Sequence, residues 1–318
     1  PALVAVGYIC GLNVALLMVF GGLLNWWIVL PHVADATTSS PFEAASLAWA
    51  TKTRYLGVGA MTVGGLGPVI GLRRELVRAA TSLVRAVIPS ASSDVSAIPE
   101  RERDLSGKTL FLLLIGASIA LLIPFFWLVS SKVHGFLLLG LVLTTGFLFC
   151  AVAGYMAGLV GSSHNPVSGV TIATIVVTAF VLLLFGMTSE ASSSGFSGPA
   201  ATVLVGTAVC TAAAIGGDTM QDLKAGHVLR ASPWQQQLVQ LIGVIAAALV
   251  LAPVLQLLLD VHGFGVATAE HPKPLRAPQA TLMSAVASGV FGGSLPLGFV
   301  FGGALISLVA FATDAYLK

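Results

Sequence analysis

A chain of 318 residues that is 56% hydrophobic and only 9% charged, with a mean hydropathy of +0.96, is not an ordinary soluble domain, in which about a quarter of the residues carry charge. Its net charge of +2, with no patch of basic and aromatic residues, excludes nucleic acid as a partner. The apolar runs are continuous and about as long as a bilayer-spanning helix, unlike the short alternating segments of a β-barrel. The class is therefore an all-α polytopic membrane protein.

The first span is expected over residues 2–30, where Asn25-Trp26-Trp27 suits the headgroup region near a helix end. Pro1 opens almost directly into it, with no Met and no basic stretch of a signal peptide, so the chain reads as part of a longer protein. Residues 31–54 read as a polar loop, and residues 55–72 as a Gly-rich run whose small side chains allow close helix contact. Residues 73–88 (RRELVRAATSLVRAVI) carry arginines at 74, 78 and 85 among apolar residues, as a helical extension or an amphipathic surface helix would. Residues 89–108 are a polar, Pro/Ser-containing linker.

Further spans are expected at residues 109–130, 135–159, 167–186, 198–216, 233–259 and 295–312, with a shorter re-entrant or interfacial piece at 280–291. The total is about eight spans of about 20 residues each. The chain divides into first spans with their loop (1–72), a cytoplasmic amphipathic and linker segment (73–108) and a main bundle (109–318). Residues 71–108 hold Arg73, Arg74, Arg78, Arg85, Arg101, Arg103 and Lys108, and the positive-inside rule places them in the cytoplasm. By alternation residues 218–230 face the same side. Cys10, Cys150 and Cys210 each lie in an apolar run without a C-x-x-C pair, as buried free thiols do.

Two stretches carry candidate chemistry. Residues 154–169 (GYMAGLVGSSHNPVSG) turn small and polar where a membrane helix should continue. Such a break at membrane depth needs its freed backbone groups buried in protein or lining a wet cavity, as in transport sites built from broken helices. Gly154 and Gly158 form a small-x3-small packing pattern. Asn165 as N-cap and Pro166 in the first turn would start a new helix, whose free N–H groups favour a carboxylate; an ordinary short loop with a capped helix start reads the same way. His164 is either a proton carrier or a hydrogen-bonded structural residue.

The second stretch, residues 216–226 (GGDTMQDLKAG), places Asp218 and Asp222 four apart on one helix face. Ionisable groups beside membrane spans mark functional paths by default, and Gly216-Gly217 suggests a second break. Alternatively, Asp218 and Gln221 form a capping box, and Ser232-Pro233-Trp234-Gln235 repeats that logic. Intramembrane protease motifs are missing: Gly216-Gly217-Asp218 has no companion Tyr-Asp, and Gly-x-Ser-x-Gly does not occur. The histidines do not have metal-ligand spacing, and no phosphate-binding loop is present. The expectation is no enzyme, no cofactor and no metal.

These stretches resemble the oligopeptide transporter (OPT) family, in particular its bacterial members. Residues 154–169, 217–226 (GDTMQDLKAG) with 232–236 (SPWQQ), 54–66 (RYLGVGAMTVGGL), 278–282 (PQATL) and 292–296 (GGSLP) carry the similarity in consistent order. His164 departs from the Asn expected before Asn165-Pro166. Family members are about twice this length, with roughly sixteen spans of about 20 apolar residues each, and the chain resembles their C-terminal half to two-thirds. The resemblance implies a proton-coupled symporter of small oligopeptides in the inner (plasma) membrane, working by alternating access around a midplane cavity. A metal-chelate symporter of the same family and a channel are the alternatives. It also implies that Ser162, Ser163, Asn165, Pro166, Gly169 and Lys224 line the substrate path and that Asp218 and Asp222 couple protons. The expected partners are the substrate, protons and the lipid bilayer, with a homo-oligomer left open.

Overall fold

The computed structural model describes residues 4, 8, 12–35, 40–87, 103–129, 131–162, 165–188, 196–265 and 268–317. Every extended element among them is helical; an isolated bridge joins Phe264 and Leu275. Among the described residues six helices are long and apolar enough to cross a membrane, or up to eight if two bent helix pairs count as one span each. The chain is an all-α polytopic membrane protein, as its composition requires. It divides into two compact units, residues 1–66 with 296–318 and residues 67–295.

In the first unit α1 (Leu12–Leu23) widens into a π-helical segment, Leu24–Val29, that holds Asn25 and exposed Trp26 and Trp27, and runs on into the short α2 (Leu30–Val33). The polar loop expected at residues 31–54 is largely helical instead: α3 (Pro41–Ala48) starts there and continues through a π-helical Trp49–Thr53 into α4 (Arg54–Gly71). Pro41 sits in the first helical turn, where its missing N–H costs nothing, and Ala44 and Ala48, four apart, are buried. The glycines of α4 allow the close contact expected of them. A Cβ on Gly59 would lie 1.8 Å from the Val300 carbonyl oxygen, and one on Gly303 would lie 1.8 Å from that of Leu56. α4 and α12 (Leu297–Leu317) therefore cross backbone against backbone.

The second unit holds α5 (Arg73–Val87), α6 (Gly107–Leu128), α7 (Lys132–Val160), α8 (Val167–Leu184), α9 (Gly198–Leu229), α10 (Pro233–His262) and α11 (Pro278–Gly292). α9 is its centre and packs on α7, α8 and α11. The core is built from Val170, Ile172, Ala173 and Ile175 of α8 and Ala201, Val205, Val209 and Ala213 of α9. α8 has apolar residues all round and is the most enclosed helix, as that pattern demands. α10 has no buried residue. Gly206 is needed where Ile175 presses against α9: a Cβ there would lie 2.7 Å from its Cγ1.

Interhelical bonds define the two ends of this bundle. At one end Phe196 N–H donates to the Leu128 carbonyl (2.8 Å), and a His134 ring nitrogen lies 3.1 Å from the Phe185 carbonyl oxygen. At the other, Trp234 N–H donates to Arg103 O (3.1 Å) and Leu105 N–H to Gln237 Oε1 (3.0 Å). Residues 103–105, just before α6, and the α9–α10 turn thus share one end.

Candidate functional site

The apolar run of α7 stops at Gly161, whose φ of +84° and ψ of 158° lie in a region that essentially only glycine occupies. Its N–H still donates to Ala157 O (3.0 Å), and the chain then turns. Asn165 N–H donates to Ser162 O (3.2 Å), and Val167 N–H to Asn165 O (2.7 Å). The latter closes a tight turn about Pro166, whose φ of −74° and ψ of 49° approximate an inverse γ-turn. α8 therefore begins at Val167. Pro166 takes the capping position and no side chain caps the helix, in contrast to the expected Asn165 cap with Pro166 in the first turn. The proline ring fixes φ and leaves the preceding amide to face elsewhere.

That amide faces α9. A Cβ added to Gly217 would lie 2.5 Å from Asn165 Nδ2 and 3.6 Å from Ala157 Cβ. Both side-chain polar atoms of Asn165 are buried with no hydrogen-bond partner among the described residues. One turn along α9, Gln221 Oε1 accepts from the Ser162 N–H (3.3 Å) and from its hydroxyl. On α7, Gly154 faces Met220 Cγ (3.2 Å from its added Cβ) and Cys150 Sγ packs where a Cβ on Gly216 would stand, whereas among the described residues nothing lies within 4 Å of a Cβ on Gly158. Only one half of the small-x3-small pattern is used. Ser163 and His164 lie outside the described residues.

The second break expected at Gly216-Gly217 does not occur. α9 runs unbroken from Gly198 to Leu229, past the expected end at residue 216, so Asp218 and Gln221 form no capping box. The two glycines serve closeness instead, admitting Cys150 and Asn165. Asp218, Asp222 and Lys224 are exposed, and Gly169 is buried. Successive helical residues differ by about 100°, so Asp218 and Asp222 lie one position round from the Gly217–Gln221 face that meets the break. Asp222 accepts from Gln240 Nε2 (2.9 Å) of α10, and Gln236 Nε2 donates to the Asp222 carbonyl (3.4 Å). Gln236 fits because Gly226 has no side chain; a Cβ there would lie 1.9 Å from its Nε2. At α10 Ser232 gives no capping bond, although Pro233 does occupy the first turn.

The break joins two long helices, α7 and α8; α8 has 18 residues, about 27 Å at 1.5 Å per residue, against about 30 Å for a hydrocarbon core. Sequence reasoning missed Gln221, Gln236, Gln237 and Gln240 as the polar contacts that hold this end together. Their signal was the four-residue spacing of Gly217 with Gln221 and of Gln236 with Gln240, visible only once α9 is read as continuous.

No group of three or more metal-ligating side chains is found among the described residues. No solved structure matches the chain. The chain is 32% identical to a Haemophilus influenzae protein named "Putative oligopeptide transporter", over all of its own length and 53% of that relative's, so it spans about half of the relative. The family described as OPT oligopeptide transporter protein matches residues 1–318. A match along the whole chain settles the relationship: it belongs to the oligopeptide transporter family.

Proposed function

We propose that the full-length protein is a secondary active transporter that carries small oligopeptides across the cell membrane by proton symport. The family membership and the printed name of the Haemophilus relative support transport of peptides. The observation that carries a site within this chain is the buried amide of Asn165, unpartnered and pressed on Gly217 beside the Ser162–Gln221 contact. A polar side chain buried without a partner costs about 1–3 kcal/mol, a cost that a substrate's amide or carboxylate group would offset on binding.

The basic linker shares the bundle end with the break, which makes this end the cytoplasmic mouth of the path. Ser162, Asn165, Pro166 and Gly169 of α8 line the path there, and Lys224 attracts the peptide carboxylate. Asp218 and Asp222, on the neighbouring face of α9, load and release the proton. Alternating access then consists of opening and closing the Ser162–Gln221 contact as the path changes sides.

The test is uptake of labelled di- and tripeptides by proteoliposomes of the full-length protein under an imposed pH gradient. Saturable uptake that accumulates peptide is expected, and Asp218→Asn with Asp222→Asn should abolish accumulation while leaving downhill exchange. Full pH dependence in that double variant would sink the proton role. Uptake that does not saturate would indicate a channel, and transport of metal chelates but not peptides would overturn the substrate class.

A further inference from the structure

The helix that follows α4 has a surface the bundle does not use. α5 packs on α6 and α7 and buries Leu76, but Val77 and Val84 remain 64% and 54% exposed. At about 100° per residue, Val77, Ala80 and Val84 fall on one apolar arc with Leu76 at its edge, while Arg74, Arg78 and Arg85 share a stripe about 40° wide beside it. A groove of about 350 Å³ runs along this junction, lined by Val77, Ala80, Thr81, Val84 and Arg85. Among the described residues its lining comes from α5 alone.

The cations differ in their engagement. Arg78 pairs with Glu75 at 2.8 Å, and an Arg73 guanidinium N–H donates to Ile70 O at 3.4 Å. Arg74 and Arg85 are exposed and have no anionic partner among the described residues. The chain bends by 63° at Leu72, which turns α5 away from the direction of α4. It lies between α4 and α6, in the most basic stretch of the sequence.

We propose that α5 is a membrane-surface helix that binds anionic phospholipid of the cytoplasmic leaflet. The Val77–Ala80–Val84 groove takes the upper part of an acyl chain, and the Arg74 and Arg85 guanidiniums, about 16 Å apart along the helix, each bind a headgroup phosphate. Two features select this occupant. Covalent attachment to spans holds the helix at the bilayer surface, and cations flanking an exposed apolar arc match a phosphate layer above acyl chains. Arginine forks also suit phosphate oxygens. The inference does not depend on what the protein carries.

The test uses the full-length protein in a cysteine-free background, in phosphatidylcholine bilayers with or without phosphatidylglycerol. Nitroxides are placed at Val77→Cys, Val84→Cys and, on the opposite face, Ser82→Cys. The first two should collide with oxygen in preference to a water-soluble nickel chelate, and the third the reverse. The preference for spin-labelled phosphatidylglycerol over phosphatidylcholine should fall about fivefold for each of Arg74→Gln and Arg85→Gln. It should survive Arg74→Lys and Arg85→Lys, which separates lost charge from lost folding. Nickel access at 77 and 84 equal to that at 82 would put the face in water. Shielding from both reagents would mean that protein covers it. An unchanged lipid preference in the Gln variants, or displacement of the lipid by inorganic phosphate, would equally overturn the proposal.

Discussion

Replacing Gly217 with alanine probes the contact between the break and α9. The added Cβ would stand 2.5 Å from Asn165 Nδ2, whereas ordinary heavy-atom contacts are about 3.5–4.0 Å. The amide must therefore retreat by about 1 Å within a packed surround, at an overpacking cost of about 1–3 kcal/mol. Asn165→Ala removes the colliding atoms. It also removes two buried polar atoms that lack partners, so it should leave stability unchanged or raise it by about 1 kcal/mol. In that background Gly217→Ala should cost almost nothing, giving a coupling of about 1–3 kcal/mol between the two sites. Thermal unfolding of the purified full-length protein in detergent measures all four corners of the cycle. Peptide uptake provides the second reading. Asn165→Ala should lower it about tenfold, the kinetic equivalent of one lost hydrogen bond to substrate. If Gly217→Ala were equally damaging with and without Asn165, the glycine would not be there for that side chain. If Asn165→Ala destabilised by more than about 2 kcal/mol, its amide would have a structural partner and the site argument would fail.

Three other substitutions test separate parts of the chain by the same unfolding assay. Gly161→Ala forces a side chain into the φ +84°, ψ 158° region and should cost about 1–3 kcal/mol; no loss would mean the turn has another accessible path. Gly226→Ala expels the Gln236 carboxamide and its bond to the Asp222 carbonyl, and about 2 kcal/mol should be lost. Proteolysis at the α9–α10 turn should rise with it. Gly303→Ala sets a Cβ against the Leu56 backbone, which cannot rotate aside. It should cost at least the upper end of the 1–3 kcal/mol range, more than Gly217→Ala, where only a side chain stands in the way.

The membrane class and most spans were legible because apolar runs of bilayer length have few other uses. The break after Gly161 was legible too, since Gly-Ser-Ser-His-Asn-Pro offers no helix former. Continuity at Gly216-Gly217 was not. Glycine costs about 1 kcal/mol in a helix interior, and nothing local distinguishes a helix that bears this cost for close packing from one that ends there. The distinction lies in Cys150 and Asn165, more than 50 positions away. Residues 31–54 were misjudged for a related reason. Their polar residues suggested a loop, but Pro41 with Ala44 and Ala48 supplied a helix start and a buried face. Gln221 was read as a capping-box partner of Asp218 and Gln236 only as part of a motif, while Gln237 and Gln240 were passed over, because an uncharged polar side chain announces no chemistry until its partner is known.

A continuous α9 alters the mechanism that two broken helices would imply. With two breaks, substrate sits between two half-helix ends at the membrane midplane. Here one connection, framed by Gly161, Ser162, Asn165 and Pro166, lies against the side of an intact helix. The side of a helix offers no free N–H groups, because its backbone is fully bonded. What α9 presents is therefore side chains: Gln221 toward the break, and Asp218 and Asp222 one position round. The α9–α10 contacts at Gln236 and Gln240 fix the carboxylate face to α10, whereas the break is held to α9 chiefly by the Ser162–Gln221 bonds. Each attachment rests on two hydrogen bonds, and only the one at the break passes through Gln221. Gln221→Ala should accordingly raise hydrogen exchange at residues 161–166 while exchange at residues 233–240 stays unchanged.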